Sequence, residues 1–212
     1  MAALDLQEQE QIDALKAWWN DNANFVIGAL LVFVVVVGGW RGWQYYQNKQ
    51  ASEAATLYAG FTNQLESNDP KRVNDAAAMV MDKYASTIYA SHAALLAAQI
   101  NEQIKDIPRT KTQLQWVIDH AKEATLKDVA RLRLAAVLLD EKNYDGAMNL
   151  LEAKHPASFD GLYADLRGDV LGAQGKVAEA MSAYKLAYEK ADAKSLYRNF
   201  IQMKMDDLGA AQ

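Results

Sequence analysis

The chain has 212 residues, 51% of them apolar, with only three Pro and eleven Gly, no Cys and a formal net charge of −5. That length and composition can bury a full domain core, which excludes a disordered chain, and abundant Ala, Leu and Gln favour helices over strands. Without cysteine there is no disulfide, thiolate metal site or thiol nucleophile. From Gln44 onward 20 Lys and Arg face 22 acids with no dense basic run, so nucleic-acid binding is not expected.

Residues 1–22 form an acidic tail, in which Asp5, Glu8, Glu10, Asp13 and Asp21 stand against the single base Lys16. Within it Ile12, Leu15 and Trp19 fall at helical spacing, a pattern that suits a short amphipathic helix at a membrane interface. Residues 25–40 then read FVIGALLVFVVVVGGW, sixteen residues without a charge. As a helix this run spans about 24 Å, and the flanks extend it toward the ~30 Å of a bilayer core. Trp18 and Trp19 precede it while Trp40, Trp43, Tyr45 and Tyr46 close it, a distribution expected of rings at headgroup depth.

With no polar face, such a helix has no side to present to water in a soluble domain. A cleaved signal peptide would begin with a short basic region, whereas this tail is long and acidic, so residues 23–43 are read as an uncleaved anchor in a lipid bilayer. Its anchoring residues are Phe25, Val26, Leu30, Phe33, Trp40, Arg41 and Trp43, with Arg41 able to snorkel outward. Positive charges are nearly balanced across the span, Lys16 against Arg41 and Lys49, and leave its orientation open.

Beyond the anchor, residues 44–212 break into segments with apolar positions three and four apart. Helices are predicted at 47–66, 71–85, 89–105, 110–123, 126–141, 144–154, 159–174, 177–190 and 194–208. Gly168, Leu171, Gly175, Ala180, Tyr184 and Ala187 follow the small, large, small, small, aromatic, small order of a tetratricopeptide repeat. Moving back 33 residues gives Ala135, Leu138, Lys142, Ala147, Leu151 and Lys154, four of which keep that character. The stretch from Tyr89 to Ala121 has the same helix, turn, helix pattern at another spacing, with Pro108 expected in the connection. The expected fold is all-α: one transmembrane helix, then an α-solenoid of degenerate tetratricopeptide-like pairs.

Signals for chemistry are sparse. His92, His120 and His155 form no pair at metal-ligand spacing, and no phosphate loop or nucleophile elbow is present. Acid pairs such as Asp140-Glu141 read as solvated helix faces. Arg167-Gly168-Asp169 falls inside a predicted helix, where the glycine serves packing. Most of the aromatics Tyr58, Phe61, Tyr84, Tyr89, Trp116, Tyr163 and Tyr184 belong in the core by their spacing. No catalytic, cofactor or metal site is expected. A stacked array instead offers a protein-binding groove, lined in the usual repeat geometry by the first helix of each pair, here Leu132, Leu139, Asp140, Leu162, Asp165 and Asp169.

Four stretches carry a family likeness: Gly38-Gly39-Trp40-Arg41; Leu132-Arg133-Leu134-Ala135; Ala164-Asp165-Leu166-Arg167-Gly168-Asp169; and Gln202-Met203-Lys204-Met205 before Leu208. In these the chain resembles the ancillary SecYEG translocon subunits of proteobacteria, the YfgM type. The resemblance implies a bacterial inner-membrane protein with a short cytoplasmic tail and a periplasmic tetratricopeptide-like domain. It further implies the SecYEG translocon, the membrane-anchored periplasmic chaperone PpiD and exported client proteins as partners. A scaffold for another envelope complex would use the same anchor and solenoid.

Overall fold

A computed structural model of the chain describes residues 2–67 and 69–210, with side chains from residue 8 onward, so Asp5 of the acidic tail lies outside the described side chains. The described residues contain nine α-helices and no strand. They are α1 (Ala2–Leu65), α2 (Pro70–Lys83), α3 (Ile88–Gln103), α4 (Ile107–His120), α5 (Ala124–Asp140), α6 (Tyr144–Leu151), α7 (Asp160–Ala173), α8 (Val177–Lys190) and α9 (Leu196–Ala210). A single 3₁₀ turn, Ala157–Phe159, precedes α7. The chain divides into two compact units, Met1–Gln50 and Ala51–Gln212.

In the first unit, the tail and the apolar run are one continuous helix, with no break between an interfacial segment and a span. It is the one helix among the described residues that is long and apolar enough to cross a membrane. Phe25 is 79% exposed, and Leu30, Phe33, Trp40, Arg41 and Trp43 are exposed as well, while Val26 is half-buried. Leaving such a surface in water is costly, whereas lipid removes the cost. In a helix the rise from Trp19 to Trp40 is about 32 Å, close to the thickness of a bilayer core. Trp43 and Tyr46 pack ring to ring at 6.3 Å on one side of the helix.

The second unit is a series of antiparallel neighbours, in which α2 packs on α3, α3 on α4, α4 on α5, α5 on α6, α7 on α8 and α8 on α9. Alanine dominates where helices meet: Ala77, Ala90, Ala93, Ala94, Ala97, Ala130, Ala135, Ala147, Ala180 and Ala187 are all fully buried. Small residues let backbones approach, and Phe61, Leu114, Leu151 and Ile201 fill the spaces left between them.

The repeat is plainest in its turns. Lys105, Lys142 and Gly175 hold φ of 63°, 60° and 75°, each one residue before the N-cap of the second helix of a pair. The next amide, of Asp106, Asn143 or Lys176, donates back to the carbonyl of Asn101, Leu138 or Leu171 at 2.8, 2.8 and 2.9 Å. This six-to-one bond closes the end of the first helix and reverses the chain. Aligned on these turns, Ala98, Ala135 and Gly168 occupy one position, and Leu114, Leu151 and Tyr184 another. The upstream pair is therefore a true copy, set 37 residues rather than 33 before the next.

Pro108, expected in the connection, lies instead in the first turn of α4, where its missing N–H has no helical partner to lose. Asp106 caps that turn by accepting from the Arg109 amide at 3.3 Å. Asp69 caps α2 and Asn143 caps α6 in the same way. The expected helix at 144–154 stops at Leu151, and residues 152–156 run as loop into the 3₁₀ turn that precedes α7.

Candidate protein-binding surfaces

The first helices of successive pairs are tied by a recurring contact between a tyrosine and a buried acid. Tyr163 of α7 donates to Asp128 of α5 at 2.9 Å, and Asp128, 1% exposed, also pairs with Arg131 at 2.8 Å. One pair further on, Tyr197 of α9 donates to Asp165 of α7 at 2.7 Å, and Lys204 meets that carboxylate at 3.0 Å. Lys204 also reaches Asp169 at 2.7 Å, while Tyr184 of α8 donates to Asp169 at 2.8 Å. One ammonium thus bridges two carboxylates that two phenols also bind, joining α7, α8 and α9.

These contacts fix protonation states. Burial, reinforced by the hydrogen bond to Asp128, pushes the Tyr163 phenol up to about 12. Burial, with bonds to Asp169 and Asp165, also drives Tyr184 and Tyr197 upward. For Lys204 burial acts to lower the pKa, but the hydrogen bonds and charges of Asp169 and Asp165 outweigh it, so the ammonium is held protonated.

This geometry assigns different parts to the six groove residues expected from the sequence. Asp165, 7% exposed, and Asp169 spend their carboxylates within the fold. Leu132 and Leu139 are half-buried against the cluster of Ala135, Ala147 and Leu151. Leu162, at 41%, and Asp140 are exposed. Of the six, then, Asp165 and Asp169 meet through Lys204, whereas Leu162 and Asp140 are the two that face solvent.

A larger apolar surface escaped the sequence reading. On α9, Leu196, Phe200 and Met203 are 76%, 60% and 59% exposed, while Tyr197, Ile201, Met205 and Leu208 pack on α7 and α8. Counting 34 residues back from the exposed three gives Leu162, Leu166 and Asp169 on α7, of which Leu162 is exposed while Leu166 and Asp169 are half-buried. The available signal was a helix with two apolar stripes, of which the core needs one.

Among the described residues no three His, Asp or Glu side chains gather in a group that could hold a metal ion. The clefts of the second unit are open and lined mostly by helix-surface side chains.

The model of the tetratricopeptide repeat-like domain family matches residues 16–210, which include both the apolar helix and the repeats. The ancillary SecYEG translocon subunit of Neisseria gonorrhoeae is 32% identical over 210 residues, 97% of this chain and 99% of that protein. The chain belongs to the tetratricopeptide repeat-like family of ancillary SecYEG translocon subunits. The subunits of the same description from Aggregatibacter actinomycetemcomitans and Escherichia coli are 29% and 26% identical, over 97% and 95% of this chain and 100% and 96% of theirs. No solved structure matches the chain.

Proposed function

We propose that the chain is a single-pass inner-membrane subunit of the SecYEG translocon, with its tail in the cytoplasm and its repeat domain in the periplasm. There it serves as a non-enzymatic adaptor between the channel, the chaperone PpiD and exported client proteins. The observation that carries this reading is the end-to-end similarity to the Neisseria subunit, which takes in the anchor and the repeats together. Tethering beside the channel raises the effective concentration of the domain near emerging chains, so weak contacts suffice. Exposed apolar residues on the first helices, Leu162, Leu196, Phe200 and Met203, support partner binding on that face, with Leu132, Leu139 and Asp140 alongside. Asp165 and Asp169 contribute by holding α9 in place, so their replacement would damage the fold as well as the surface.

The channel contact is tested with a photo-crosslinking residue at Trp43 in the full-length protein in its membrane. Adducts dominated by SecY are expected; their absence beside adducts to another envelope complex would replace the translocon reading with a scaffold elsewhere. For the chaperone, Leu162→Glu with Phe200→Glu should lower PpiD co-purification at least fivefold without changing the melting temperature. Undiminished recovery would remove this face from the adaptor.

A further inference from the structure

The second helix of each complete pair has 14 residues in α4 and α8, but α6 has only 8. The missing six residues amount to about 9 Å of helix. Residues 152–156 follow as loop, and His155 of that loop borders a cleft of about 430 Å³ walled by α7 and α8. The His155 ring stacks on Tyr163 at 3.8 Å. Ala164, Leu171, Ala183 and Leu186 make the floor apolar, and Leu186 is 45% exposed.

The charged side chains of this surface are Asp160, Glu179 and Arg167. Asp160 on the rim is paired with Lys190 at 3.0 Å and lies 3.6 Å from His155. Arg167 also lines the cleft, and one of its terminal nitrogens donates to the Leu151 carbonyl at 3.1 Å, closing the shortened α6. Its Nε is buried and has no hydrogen-bond partner. Among the described residues the Arg167 guanidinium meets the Leu151 carbonyl and no carboxylate, so an Asp or Glu brought to the cleft would supply the charge-assisted partner it lacks.

We propose that this cleft docks a short amphipathic helix of a partner protein, which lies along α7 and α8 beside the shortened α6 and presents an Asp or Glu carboxylate to Arg167. Its apolar face would rest on Ala164, Leu171, Ala183 and Leu186, as a helix laid in a groove does. The cleft is separate from the Leu162 and Phe200 surface, so the two can fail independently.

The test places a photo-crosslinking residue at Leu186 in the full-length chain in its own membrane, with a second at Phe200 for comparison, and sequences the crosslinked peptides by mass spectrometry. A discrete adduct from Leu186 is expected, within a segment that has apolar residues at helical spacing and an acid one turn away. That adduct should fall at least tenfold in Arg167→Met and in Ser182→Trp, which fills the cleft from an exposed position, with circular dichroism melting showing that both variants fold. The proposal is overturned by no adduct, by adducts to lipid, to a second copy of this chain or to many unrelated segments, or by a discrete adduct that neither substitution reduces. Loss of the Phe200 adducts alone would count against the adaptor face and leave the cleft standing.

Discussion

The two ends of the repeat domain bury polar groups in different ways. Between α2, α3 and α4 the buried polar residue is neutral: Asn101, fully buried, exchanges 2.8 Å hydrogen bonds with Asn74 and donates to Gln113 at 2.7 Å. Between α7, α8 and α9 it is ionic, Asp165 and Asp169 around Lys204 with two tyrosines. The same backbone turn occurs at both ends, so the difference lies in side chains alone. Removing a neutral amide costs little where its partners can turn to water, whereas removing one member of a buried ionic group leaves its partners uncompensated.

The largest effect is expected where α7 meets α8. A Cβ on Gly168 would press into the Tyr184 ring, 2.9 Å from Cζ and nearer still to the adjoining ring carbons. Gly168→Ala should cost about 2–3 kcal/mol in urea unfolding of the repeat domain. The earlier pairs hold Ala with Leu at these two positions, so adding Tyr184→Leu should recover at least about 1 kcal/mol of that loss in a double-mutant cycle. Strict additivity would mean that the ring is not the obstacle.

Asp165→Ala should cost about 2 kcal/mol, less than a fully buried pair because Lys204 is partly exposed and keeps Asp169. Hydrogen exchange should then rise in α9 before it rises in α2–α4. Equal loosening at both ends would erase the distinction between them.

Alkaline titration probes the phenol contacts without mutation. Tyr163, Tyr184, Tyr197 and Lys204 all hold their protons more tightly in the folded state. A raised folded pKa contributes stability that is complete below the unfolded value, near 10 for tyrosine, and is lost as pH climbs through the folded value. The urea midpoint should therefore fall from about pH 10 through the Tyr163 value of about 12, and Tyr163→Phe should flatten part of that fall. A midpoint that holds level across this range would contradict the phenol contacts.

Much of this fold was legible because it rests on spacing. Gly168, Ala180, Tyr184 and Ala187 fixed one helix pair, and eight of the nine expected helices lie within a few residues of the observed ones. The ninth, expected from residue 47, proved to be the end of α1, since nothing between Trp43 and Leu65 interrupts helical backbone. The 37-residue copy was hidden because Thr110 and Asn101 stand where later pairs have Ala and Leu, and only the turn at Lys105 reveals the register. Asp165 and Asp169 looked like groove residues because their partners Tyr197 and Lys204 lie more than thirty residues away, beyond any local pattern.

Smaller effects complete the contrast. Asn101→Leu installs the residue found at the matching positions 138 and 171, and should change stability by less than about 1 kcal/mol, because Asn74 and Gln113 are only half-buried and can turn to water. Lys142→Gly should stabilise by about 0.5–1 kcal/mol, since a lysine there holds the positive φ that Gly175 adopts without strain.

The central claim is that an uncleaved helix holds the repeat domain on the periplasmic side. Protease added to intact spheroplasts tests it most directly, followed by blotting against an epitope inserted in the exposed turn near Lys194. Cleavage of the domain from outside, with the membrane-bound fragment still carrying the N-terminal tail, is the expected result. Protection until the membrane is ruptured would place the domain in the cytoplasm and contradict the adaptor role.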